Sequence, residues 1–242
     1  MGSIGSNLQE VKQRMAQACR AVSRDANIVT LAPGLGADHG ITLLAVSKTQ
    51  AAHAVREALT HGQHAFGENY VQEALAKIEA LADVRAQLQW HLIGPLQSNK
   101  TRPVAEAFDW VHSVDRFKIA QRLAEQRPAH LPPLQLCLQV NVSGEDSKSG
   151  VAWAELLELA RAVAALPAQR VCLRGLMSIP EPTTDPQAQA RPHRLLHEML
   201  LQLRSQGLEL DTLSMGMSAD LEAAVGEGST VVRVGTAIFG ER

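Results

Sequence analysis

The chain has 242 residues, 45% of them hydrophobic and 20% charged, with a net charge of -2, the balance of a soluble globular protein. That charge offers no pull on nucleic acid or an acidic membrane, and 3% aromatic residues leave little for base stacking. No apolar run reaches the roughly 18 residues that span a bilayer, so neither a nucleic-acid nor a membrane partner is expected.

The start, MGSIGSNLQEVKQRMAQACR, has no positive segment followed by an apolar one, so no secretory signal is expected. Leu8, Val11, Met15, Ala18 and Val22 recur at helical spacing and predict a helix over about residues 6–24, behind a flexible end of about six residues. LAPGLGADHG follows as a loop. Its Gly34 and Gly36 resemble a nucleotide-binding glycine run, but such a run follows a strand and this one precedes it, so it reads as a plain connection. The three cysteines, Cys19, Cys137 and Cys172, are too far apart for a zinc motif and odd in number for a disulfide framework. Cys137 and Cys172 lie in apolar runs as small core residues, and a reducing, cytoplasmic compartment is expected.

From there the pattern is regular. Apolar runs recur at ITLLAVS, QHAFGEN, LQWHLIG, FDWVHSV, LQLCLQVNVS, VCLRGLMSI, LDTLSMGMS and TVVRVGTAIFG. Amphipathic segments such as AAHAVREALTHG and WAELLELARAVAALP separate most of them. Eight strands alternating with helices predict a (β/α)8 barrel of the TIM type, with an additional helix in front. Continuously apolar strands suit a parallel sheet covered on both faces. A doubly wound open sheet is the alternative; the count of eight and a chain that stops at Arg242, just after the eighth strand, favour the barrel. No linker interrupts the alternation, so residues 1–242 are expected to form one domain, with IPEPTTDP as a long loop after the sixth strand.

Active faces of such barrels lie at the C-terminal strand ends, and polar residues gather there. Lys48 follows the first strand, Glu68 and Asn69 the second, and His91 lies on the third. Asn141 and Ser143 belong to the fifth, Met177 and Ser178 to the sixth, Ser214, Gly216 and Ser218 to the seventh, and Arg233, Gly235 and Thr236 to the eighth. Lys48 in LLAVSKTQ is either a solvated lysine at a strand end or a placed amine. Ser218 either caps the helix that follows or belongs to an anion site. Gly235 and Thr236 sit at the corner where such barrels grip phosphate. Arg233 lies inside an apolar run, and a buried guanidinium needs an acceptor, either a carboxylate such as Glu68 or a ligand. A cofactor with an aldehyde, a phosphate and a ring nitrogen would satisfy the lysine, the corner and the arginine together.

These stretches also carry a resemblance. LLAVSKTQ, FGENYVQE, WHLIGPLQSNK, SKSG, LRGLMSIP, LSMGMSADLEAA and STVVRVGTAIFG are together similar to the pyridoxal phosphate homeostasis proteins, single-domain relatives of the alanine racemase N-terminal barrel, over residue 7 to the C-terminus. The resemblance implies pyridoxal 5'-phosphate (PLP) as cofactor, with Lys48 as the lysine of the internal aldimine and Asn69 as a polar neighbour. It implies phosphate ligands at Ser214, Gly235 and Thr236, with Ser218 as an addition, and Arg233 as the partner of the pyridine nitrogen. Ala219 stands where an aspartate is common in relatives, which touches the helix start and leaves the lysine alone. It further implies storage or delivery of PLP in vitamin B6 balance, with PLP-dependent apo-enzymes as recipients; without an added domain, a monomer is expected.

A cramped barrel mouth with cationic neighbours favours the neutral amine that attacks an aldehyde. Catalysis through PLP usually needs a carboxylate to keep the ring nitrogen protonated; an arginine does not take up that proton at ordinary pH. Racemases of similar barrel add a C-terminal domain that helps supply a tyrosine base, whereas Tyr70, the one tyrosine here, begins the helix after the second strand. No catalytic residue is therefore assigned. The rivals are a weak amino-acid racemase and a Schiff-base aldolase without cofactor. His193 and His197 in HRLLHE have a metal-binding spacing but no third ligand nearby, and read as a solvated face. His91 reads either as a pocket residue or as a bonded core histidine, and Trp110 and Trp153 read as packing residues. GEDSKSG, with Lys148, reads as a polar loop without a role.

Overall fold

A computed structural model of the chain describes residues 2–29, 40–143 and 149–240. The first helix, α1 (Ile4–Ala21), starts two residues ahead of the predicted start because the Ser3 hydroxyl caps it, accepting from the Ser6 amide. It buries Leu8, Val11, Met15 and Ala18 of the predicted stripe; Val22, the fifth member, is exposed just past the helix end, because the helix stops at Ala21. The loop with Gly34 and Gly36 and most of GEDSKSG lie outside the described residues.

All eight predicted strands form. They are β2 (Ile41–Val46), β3 (Ala65–Glu68), β4 (Gln89–Leu92), β5 (Trp110–Val114), β6 (Leu134–Gln139), β7 (Val171–Met177), β8 (Thr212–Ser214) and β9 (Val231–Val234). Each pairs in parallel with the next, and β2 pairs with β9, with Leu44 opposite Arg233, to close an eight-stranded barrel. Helices α2 (Ala52–Thr60), α3 (Val71–Ala80), α4 (Thr101–Ala107), α5 (Phe117–Gln126), α6 (Trp153–Ala164), α7 (Pro186–Ser205) and α8 (Leu221–Gly226) cover the outside. The apolar core lies between barrel and helices.

A short strand and a short helix are among the elements that go beyond the sequence reading. A two-residue strand, β1 (Ile28–Val29), pairs with β2 outside the ring; two residues carry no periodicity. After β9 the chain turns at Gly235 into a short helix, α9 (Thr236–Phe239), so TAIF is not strand. IPEPTTDP is the predicted loop, and α7 starts at Pro186 behind the Asp185 cap.

The barrel interior is more polar than the strands promised. Side chains alternate along each strand, and those pointing inward meet across the lumen. His112 on β5 thus reaches Ser214 on β8, a strand to which β5 is not paired. Arg174 on β7 binds Asp211 at 2.8 and 3.0 Å and lies over the Trp110 ring. Trp110 stacks on His91, as a packing residue; Trp153 does not pack so, being 45% exposed at the start of α6.

Candidate functional site

At the C-terminal ends of β2, β3, β8 and β9 lies a cavity of about 450 Å³, within the usual range for small-molecule sites. Lys48, Asn69, Ser218, Arg233, Gly235 and Thr236 line it, six of the seven residues expected from the sequence. The seventh, Ser214, is fully buried beneath the cavity, where its hydroxyl meets His112 Nδ1 at 2.7 Å and Arg233 Nη1 at 2.8 Å. Its place is under the arginine, which is at odds with a direct grip on a phosphate.

Lys48 sits in the turn that ends β2. The Gln50 amide donates to the Ser47 carbonyl, and Thr49 adopts a left-handed φ of 64°, a conformation costly for a β-branched residue. What holds the turn is a charge cluster that sequence reasoning missed. Lys77 Nζ on α3 donates to the Ser47 carbonyl at 2.6 Å and pairs with Glu68 at 2.6 Å and Glu73 at 2.8 Å. The Ser47 hydroxyl donates to Glu68, and the Thr49 amide donates to Glu73. Burial pushes the Glu68 carboxyl above its ordinary range, against the pull of Lys77 and Ser47. The signal was legible: Lys77 shares the buried stripe of α3 with Val71 and Ala74.

Asn69 follows β3 and is fixed by a close pass of Gly94, where a Cβ would come 2.2 Å from the Asn69 carbonyl oxygen. Its Oδ1 is buried and has no partner among the described residues, an acceptor waiting for a donor.

Arg233 does not pair with Glu68, which is taken by Lys77. Its Nη1 donates to the Ser214 carbonyl at 2.6 Å and to the Ser214 hydroxyl, and its Nη2 donates to the Ser178 carbonyl at 2.8 Å. These acceptors are neutral, so the charge survives. Burial brings the guanidinium down to about 10, with the Asp220 carboxylate opposing, and it stays protonated at neutral pH.

The corner between β8 and β9 is shaped by glycine. Gly216 has a φ of 92°, and a Cβ there would come 2.4 Å from the Ala224 Cβ. A Cβ at Gly235 would come 3.1 Å from the Val46 carbonyl oxygen, on the cavity wall. Ser218 lines the cavity but does not cap α8. The cap position belongs to Asp220, whose carboxylate accepts from the Met217 amide at 2.7 Å and from His193 Nε2 at 2.9 Å. Burial alone would raise the Asp220 carboxyl; the bonds from His193 and Met217 hold it below its ordinary range instead. His193 is therefore no solvated residue: it is fully buried on the α7 stripe with Leu196, Leu200 and Leu203. His91 is likewise a bonded core histidine. Asn141 and Ser143 bond each other away from the cavity. Tyr70 is 55% exposed at the start of α3 and outside the lining. Among the described residues no group of three or more His, Cys, Asp or Glu could hold a metal ion, and no helix is long and apolar enough to cross a membrane.

Among the described residues two cations and no carboxylate line the cavity, which favours an anionic ligand. The lysine offers an amine, the arginine a fixed donor, and the glycine corner room against the backbone.

Comparison with known proteins agrees with this geometry. The family model of the alanine racemase N-terminal domain matches residues 25–242. The pyridoxal phosphate homeostasis protein of Pseudomonas aeruginosa is 58% identical, over 100% of this chain and 97% of its own length. PipY of Synechococcus elongatus, in its structure with PLP bound, is 38% identical with a TM-score of 0.77, over 93% of this chain and 100% of that one. Alanine racemase from Corynebacterium glutamicum, 18% identical with a TM-score of 0.68, shares the fold; the match covers 99% of this chain and 61% of that one. The chain belongs to the alanine racemase N-terminal domain family and, within it, to the pyridoxal phosphate homeostasis proteins.

Proposed function

We propose that the cavity holds PLP covalently through Lys48, and that the chain serves intracellular vitamin B6 homeostasis by storing the cofactor and handing it on. One observation supports this most: an amine and a guanidinium held by neutral groups face one cavity whose lining carries no carboxylate among the described residues. The aldehyde of PLP condenses reversibly with an amine, with loss of water, and exchange with a second amine frees it again. Lys48 supplies the amine, held in place by the turn that Lys77 and Glu73 grip. Asn69 offers an unpartnered acceptor. Gly235, Thr236 and Ser218 are the residues we assign to the phosphate, and Arg233 donates to the ring nitrogen. Ser214, expected as a phosphate ligand, serves better as the support of Arg233.

The proposed role is binding rather than turnover. Arg233 does not exchange its proton at neutral pH, so it leaves the ring nitrogen unprotonated and the ring a poor electron sink. Tyr70, exposed and outside the lining, is badly placed as a second base. The whole chain acting as one PLP-binding domain, a cytoplasmic monomer and apo-enzyme recipients are parts of the same proposal.

Borohydride treatment of PLP-loaded protein should fix the cofactor mass on the peptide containing Lys48, and Lys48→Ala should abolish the adduct. Full trapping in that variant overturns the proposal. Trapping of a carbonyl substrate without PLP would instead mark a cofactor-free aldolase. Sustained exchange of the α-hydrogen of L-alanine in deuterated water would mark a racemase.

A further inference from the structure

Behind Arg233, hydrogen bonds continue down the barrel. Ser214 Oγ lies 2.7 Å from His112 Nδ1, His112 Nε2 lies 2.9 Å from His91 Nδ1, and His91 Nε2 lies 2.9 Å from Gln89 Oε1. Ser214, His112 and His91 are fully buried, and no step of the proposed PLP binding touches the two histidines. We propose that this relay has one proton direction, from Arg233 towards Gln89, and that His112 is a positioning residue which, through Ser214, locks the guanidinium facing the cofactor cavity.

The direction follows from counting donors and acceptors. The Gln89 carbonyl oxygen only accepts, so His91 carries its proton on Nε2. In a neutral ring His91 Nδ1 then accepts, which puts the proton of His112 on Nε2 and leaves His112 Nδ1 as an acceptor. Ser214 must therefore donate its hydroxyl proton to His112, and its oxygen receives Arg233 Nη1. Reversing the chain would leave the Ser214 proton without an acceptor among the described residues, in a buried place where that costs about 1–3 kcal/mol. Neutral rings fit the surroundings: burial, aided by the Arg233 charge, brings His112 down to about 3, and burial beside His112 holds His91 well below its ordinary value. With Ser214 and Ser178 as neutral acceptors, three N–H groups of Arg233 are committed. The other two of its five are left for the cavity that Arg233 lines.

The positioning role rests on the reading of the cavity as a PLP site; the proton direction does not. Nitrogen-15 NMR of the unloaded, histidine-labelled chain should show both His91 and His112 protonated on Nε2. A proton on His112 Nδ1 overturns the relay. In PLP titrations, His112→Leu should bind roughly threefold to tenfold more weakly, the equivalent of one lost hydrogen bond. His112→Asn, which can place an oxygen near the Nδ1 position, should restore binding to within about twofold. Unchanged affinity in His112→Leu, or equal loss in both variants, overturns the positioning role. Should His112→Leu not fold, the tautomers of the unaltered chain still decide the relay. Failure of the unaltered chain to take up PLP removes the functional reading and the positioning role with it, while leaving the tautomer result as the test of direction.

Discussion

The two cationic residues of the cavity are supported in opposite ways. Beside Lys48, the support is ionic: Lys77 is buried against Glu68 and Glu73, and the three grip only the backbone and the Ser47 hydroxyl of the turn. Around Arg233 the support is neutral: two carbonyls, one hydroxyl and a pair of uncharged histidines behind it. A carboxylate against Arg233 would fix it as well, but would cancel the charge it shows the cavity. Ion pairs hold the frame here, and dipoles hold the group that lines the cavity.

The largest effect is expected on the ionic side. Lys77→Met leaves Glu68 buried without its cation and should cost roughly 3–5 kcal/mol of stability, read by urea unfolding; a loss below about 1 kcal/mol would mean that the cluster does not support the fold. On the neutral side, Arg233→Met should leave Lys48 able to trap PLP yet weaken equilibrium binding roughly tenfold to hundredfold, the worth of charge-assisted hydrogen bonds. Fluorescence titration checks this, and unchanged binding would show that the cavity ignores the charge.

The neutral histidines also set an acid limit. The unfolded chain takes up a proton at each near pH 6.5, whereas folded His112 stays neutral until about 3 and His91 until well below its ordinary value. Each therefore favours folding fully only above pH 6.5. Stability should fall below that by about 1.4 kcal/mol per pH unit per histidine. A flat urea midpoint between pH 7 and pH 5 would contradict neutral support. The smallest effect concerns the corner the two sides share. Gly235 has a φ of -115°, open to any residue, but an added methyl would press on the Val46 carbonyl. Gly235→Ala should keep the fold and weaken PLP binding roughly fivefold, about 1 kcal/mol; stronger binding would argue against a tight corner.

Much of this could be read in the sequence, because the signals were periodic. The eight apolar runs became the eight barrel strands, and their ends brought six expected residues to one cavity. What escaped depends on closure. His91 and His112 look like isolated interruptions of apolar runs until β4 and β5 lie side by side, and Ser214 meets them only across the lumen. The resemblance implies Ser214 as a phosphate ligand; strand alternation turns its hydroxyl inward, to His112 and Arg233. Lys77 and His193 each occupy a buried helical stripe; His193 reads as a solvated face when its polarity is weighed above its position, and Lys77 has no reading from the sequence at all.

α1 lies ahead of the region that matches the family model, yet it braces the cavity's outer wall. Asn7 Nδ2 donates to the Ile238 carbonyl at 2.8 Å across 231 positions, and Arg14 pairs with Glu222 on α8. Contacts so distant along the chain form only after both partners have been synthesised. The wall around Gly235 and Thr236 thus acquires its brace only once α9 has been made and can reach α1, so a chain still short of α9 lacks that wall.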